Sequence, residues 1–137
     1  MTRYLLVFLG SFLCACASEN KNTKEFVYAE PSEMAVLMQQ MFAKMQETKE
    51  NVMHQKDIGP FPDYIKNIHS ATLTNATFKS SDFRKLSDTY VQYMVKTYTG
   101  EKSQRKENFN TAVNSCVQCH EIFCRGPIPK IKKLWIN

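Results

Sequence analysis

Residues 109–120 read Phe109-Asn110-Thr111-Ala112-Val113-Asn114-Ser115-Cys116-Val117-Gln118-Cys119-His120. Phe109, Ala112, Val113, Cys116 and His120, continued by Phe123, recur every three or four residues, the period of one helix face. The stretch is expected to be the end of an amphipathic helix carrying reactive groups on its inward side, until Gly126-Pro127 breaks it. The spacing C-x-x-C-H lets two thiols add to the two vinyl groups of one haem while the adjacent imidazole reaches its iron. Cys116 and Cys119 are therefore the expected attachment points of one covalent haem c, and His120 its proximal iron ligand. The competing readings are a lone dithiol redox pair or half of a zinc site. The first would open a helix after a strand, and the second would need two more ligands at matching spacing; the sequence offers neither context.

Helical periodicity extends upstream. Ser81 reads as an N-cap followed by Asp82, and Phe83, Leu86, Tyr90, Tyr93, Met94 and Thr97 form the apolar face of a helix that Gly100 ends. The charged run 101–107 begins the last helix on an exposed stretch. Thr72 to Ser80 has the composition of a loop. Before it, Phe61, Tyr64, Ile65 and Ile68 suggest a shorter helix ending near His69, separated by Gly59-Pro60 and Pro62 from a first helix. That first helix starts from Ser32 as N-cap with Glu33 in its first turn, and Met34, Leu37, Met38, Met41, Met45, Thr48 and Val52 make its stripe. His54 and His69 fall at helix ends, where surface histidines are ordinary. With no alternating strand pattern, the expectation is an all-α chain, an antiparallel up-and-down four-helix bundle with its haem near the C-terminal end of the last helix.

The 137 residues suit one domain, and 18 basic against 13 acidic residues give a mild excess of positive charge. That balance fits acidic redox partner proteins or anionic surfaces; without an arginine-rich arm it argues against nucleic acid. Residues 1–15 read as an export signal, with Thr2-Arg3 before an apolar run from Tyr4 to Leu13 that is too short to span a bilayer. Leu13-Cys14-Ala15-Cys16 resembles a bacterial lipobox, which predicts cleavage before Cys16 and a lipid anchor there. Ala15-Cys16-Ala17 as an A-x-A site is the alternative, with a soluble product starting near Ser18. Residues 16–30 then form a polar tether and residues 31–137 the haem domain with its C-terminal tail. The expected location is the periplasm or cell envelope, as a membrane-anchored lipoprotein facing outside the cytoplasm. Cys124 remains outside every pair: a buried small residue, a reactive thiol, or an intermolecular disulfide that would make a homodimer. In the tail, Ile128, Ile131, Leu134 and Trp135 are expected to fold back on the helices, leaving Lys130, Lys132 and Lys133 solvated or as a docking patch.

With C-x-x-C-H at the end of the last of four helices, the chain resembles a class II cytochrome c of the cytochrome c′-like type. Helix order carries the resemblance over most of the chain, and Cys116 to Phe123 carry it by motif. An aromatic and a basic residue usually follow the histidine in that family; Phe123 and Arg125 resemble the pair, with Cys124 between them. The resemblance implies that the first helix crosses the far face of the haem and either supplies a methionine or leaves iron five-coordinate. It points to Met38 as distal ligand, with Met41 one turn on as the alternative. The implied function is one-electron transfer by a mono-haem cytochrome that catalyses nothing itself. An empty sixth position would instead imply a haem protein that binds NO or CO.

Overall fold

The computed structural model describes residues 30–137. The export signal, Cys16 and residues 16–29 of the expected tether lie outside the described residues. Among the described residues the chain is all-helical: α1 (Glu33–Met53), α2 (Ser81–Thr99), α3 (Arg105–Phe123) and the short α4 (Ile128–Lys132), joined by three 3-10 segments.

α1 begins as its sequence predicts, with the Ser32 hydroxyl accepting from the Ala35 N–H at 3.1 Å. Met34, Leu37, Met41, Met45 and Thr48 are its buried stripe. It stops at Met53, ahead of Gly59-Pro60. Gln55 takes a left-handed conformation (φ 54°), the Lys56 N–H reaches the Asn51 carbonyl at 2.8 Å, and the Gln55 N–H reaches Val52 at 3.2 Å. This pair of bonds is a Schellman cap, and it satisfies carbonyls the helix would otherwise leave unpaired. Ile58, buried just beyond it, draws the chain back to the core.

The expected second helix is a 3-10 helix, Asp63–His69. Pro60 and Pro62 remove backbone donors at its entrance, and the buried Ile65 and Ile68 are three residues apart, the 3-10 repeat. This segment runs back along α1. The Tyr64 hydroxyl donates to the Gln40 carbonyl at 3.4 Å, and the Met34 N–H donates to the Thr72 carbonyl at 3.1 Å. The Thr72 N–H and hydroxyl both donate to the Glu33 carboxylate, at 2.9 and 2.8 Å.

α2 starts one residue earlier than expected, because the Ser80 hydroxyl, not that of Ser81, accepts from the Phe83 N–H at 3.2 Å. Of two adjacent serines, Ser80 has the extended backbone a cap requires. Gly100 ends α2 for steric reasons rather than by a left-handed turn: a Cβ there would stand 2.6 Å from the Lys96 carbonyl oxygen. α3 returns antiparallel to α2. Phe123 near its end meets Phe83 near the start of α2, ring centroids 5.7 Å apart, while Asn108 near its start donates to the Lys96 carbonyl at 3.5 Å. A buried Thr48–Tyr98 hydroxyl pair at 2.7 Å marks the end that α1 and α2 share. α2 and α3 pack along most of their length, whereas α1 meets α3 far more sparingly.

The tail folds back as expected but with a different face inward. Ile131, Leu134 and Ile136 are buried, while Trp135 is 47% exposed. Beyond Lys132 the chain is no longer helical, so alternate residues, not every third or fourth, point inward. The Asn110 side-chain amide grips this extended end from both sides, donating to the Ile136 carbonyl at 2.8 Å and accepting from its N–H at 2.9 Å. Both Ile136 groups are buried, and leaving such a group unpaired costs about 1–3 kcal/mol. Lys49 and Lys106 donate to the carbonyls of Lys133 and Asn137, at 2.8 and 2.6 Å.

Candidate functional site

Cys116, Cys119 and His120 project from the last turns of α3, three and four residues apart on one face. Cys116 packs against the core cluster that contains Tyr90, Met94 and Met41. Burial pushes its thiol well above the ordinary cysteine range, with Cys119 adding a smaller push; burial also raises Cys119, to about 11. A redox dithiol relies on a lowered thiol pKa at a helix N-terminus. These two cysteines sit at the other end of a helix, where the dipole opposes a thiolate.

His120 is held by its own helix end. Its Nδ1 lies 2.8 Å from the Cys124 carbonyl oxygen, and the Cys124 N–H donates to the His120 carbonyl at 3.0 Å. A carbonyl can only accept, so Nδ1 carries a proton, and in the neutral ring Nε2 is the nitrogen with the lone pair. A second nitrogen tied to a backbone carbonyl is the arrangement by which metal-ligating histidines are oriented and made more basic. Cys124, which the sequence left without a role, supplies that carbonyl from the backbone, while its side chain is exposed. Nothing in the residue type predicts this, because any amino acid brings the same carbonyl.

Around the motif, Phe123 packs on Phe78 and Phe83 with centroids 5.5 and 5.7 Å apart. The Arg125 Nε donates to the Glu121 carbonyl at 3.0 Å. On α2, Tyr90 is 2% exposed, and its buried hydroxyl has no hydrogen-bond partner among the described residues. Met38 lies half-buried against the core on α1, whereas Met41, 4% exposed, is inside it. The other histidines are engaged elsewhere. His54 is exposed beside Glu50 at 3.7 Å. His69 is more constrained than a surface residue, with Nδ1 3.3 Å from the Ser87 hydroxyl and Nε2 3.3 Å from Asp88. Among the described residues, no three His, Cys, Asp or Glu side chains converge to hold a metal ion. One cleft lies between α1 and the tail, lined by Phe42, Gln46 and Leu134; another, lined by Val113, Val117 and Trp135, lies between α3 and the tail. Neither includes Cys116, Cys119 or His120.

Comparison with known proteins adds no relative to this constellation: no family model, no curated protein and no solved structure matches the chain.

Proposed function

We propose that the chain is an extracytoplasmic mono-haem c-type cytochrome that acts in one-electron transfer and is not an enzyme. One haem c is bonded to Cys116 and Cys119, with His120 as proximal and Met38 as distal iron ligand. The observation that carries this reading is the bond from His120 Nδ1 to the Cys124 carbonyl, which leaves Nε2 as a lone-pair donor beside two cysteines at C-x-x-C-H spacing. The buried, unpartnered Tyr90 hydroxyl also fits a site that lacks part of its polar complement. When bound, the haem supplies a one-electron Fe(III)/Fe(II) couple. The protein residues do the rest: the Cys124 carbonyl fixes the imidazole, the packed and part-buried Phe78, Phe83 and Phe123 rings supply an apolar wall at that end, and a thioether from α1 would favour reduced iron.

The same reading takes the fold as a reduced form of the class II four-helix bundle, with the 3-10 segment Asp63–His69 in the place of the second helix. Support comes from the run of the chain, with α1 and α2 sharing one end at Thr48–Tyr98 and the segment between them returning along α1. α1 meets α3 far more sparingly than α2 does, which suits a large planar group between α1 and α3. Lys130, Lys132 and Lys133 are exposed on the tail, which suits an acidic redox partner. A lipid anchor at Cys16 would keep the domain on a membrane of the periplasm or cell envelope.

The test is a mass measurement after denaturation, followed by optical spectra. The expected results are one haem retained covalently, lost in Cys116→Ala/Cys119→Ala, and a ferric spectrum that is low-spin. A chain that retains no haem would end this reading. A high-spin ferric form whose ferrous state takes up CO rapidly would keep the haem, remove Met38 as ligand, and replace electron transfer by binding of NO or CO.

A further inference from the structure

Three of the tyrosines that lie in or against the core differ in what their hydroxyls meet. Tyr98 shares a hydrogen bond with Thr48 at 2.7 Å, and Tyr64 donates to the Gln40 carbonyl at 3.4 Å. Tyr90, inside the core where Tyr64 is only part-buried, has no partner for its hydroxyl among the described residues. Buried hydroxyls without partners are rare, and one beside a functional group points to a missing complement. Burial raises the Tyr90 phenol well above its ordinary range, and among its ionisable neighbours Cys116 acts on it most strongly. The group is thus a protonated donor throughout the neutral range, and it belongs to the core cluster against which Cys116 of the C-x-x-C-H motif packs.

We propose that Tyr90 is a positioning residue of the haem site: its buried hydroxyl, which has no acceptor among the described residues, donates a hydrogen bond to an oxygen that arrives with the haem. That oxygen belongs to a propionate carboxylate or, where the sixth position is open in place of Met38, to a small ligand on the iron. The inference rests on the haem assignment above and adds to it a residue outside the motif, contributed by α2 rather than α3. A phenol that donates to either oxygen offsets negative charge near the iron and so favours the reduced state.

The experiment compares wild-type holoprotein with Tyr90→Phe, which keeps the ring and removes only the hydroxyl. Covalently loaded variant should show a lower reduction potential and a lower urea midpoint. If the acceptor is a propionate, the inflection in potential against pH moves upward, because the carboxylate loses a donor that favours its ionised form. If it is a ligand on iron, the ferrous CO stretch rises instead. The inference is overturned if the potential, its pH dependence and the CO stretch all match wild type, or if the urea midpoint rises. The last result would mean that the hydroxyl stays unpaired in the loaded protein. Failure of the haem assignment itself is read separately, from a wild-type mass that carries no haem.

Discussion

At the scale of single residues, the two methionines proposed for the distal position make opposite demands on their surroundings. Met41 is inside the core, so Met41→Ala should cost about 2–5 kcal/mol in urea unfolding while leaving the haem spectrum unchanged. Met38 is only half-buried; Met38→Ala should cost less stability but convert a low-spin ferric spectrum to high-spin and lower the potential. If the spectral change follows Met41 instead, α1 is set one turn differently against the haem. That Cys116, Cys119 and His120 share one helix face is legible in the sequence, because the placement depends on spacing along the chain and spacing is what a sequence records. Tyr90 reads there only as one more apolar position. Its missing partner depends on which side chains the fold brings to it from α3 and from the 3-10 segment.

At the scale of elements, periodicity locates α1, α2 and α3 correctly, and the ends are where the reading and the structure part. Ser80 and Ser81 are equivalent by residue type, and only backbone direction selects Ser80. Ser80→Ala should therefore lower stability by about 1 kcal/mol, while Ser81→Ala should have little effect, both measured by urea midpoint. Equal losses would mean that the two serines share the cap. In the second helix Tyr64, Ile65 and Ile68 fit a period near 3.6 as well as one of 3. The prolines before it and the three-residue spacing of the buried Ile65 and Ile68 favour the tighter winding. Gln55 shows the same limit, since glycine is the usual signal for a left-handed cap and glutamine gives none.

For the whole molecule, the all-helical class follows from the absence of any alternating pattern. The path of the tail does not, because its inward face changes from helical spacing to alternation once α4 ends. What pins that tail is Asn110, a polar residue on an otherwise apolar face, whose two bonds to Ile136 span 26 positions. The enclosure of Cys116 has a consequence for timing. Cys116 is partly buried and packs against the core, so a reagent as wide as a porphyrin would reach its sulfur more readily before the helices close. On the proposed haem reading, attachment precedes the closing of the helices, with the open chain as its substrate. A thiol reagent applied to haem-free protein in native buffer, with the products mapped by mass spectrometry, should mark the exposed Cys124 well before Cys116. In urea the difference should vanish. Equal labelling in native buffer would mean that the core admits large groups after folding, and that the cell could load this protein at leisure.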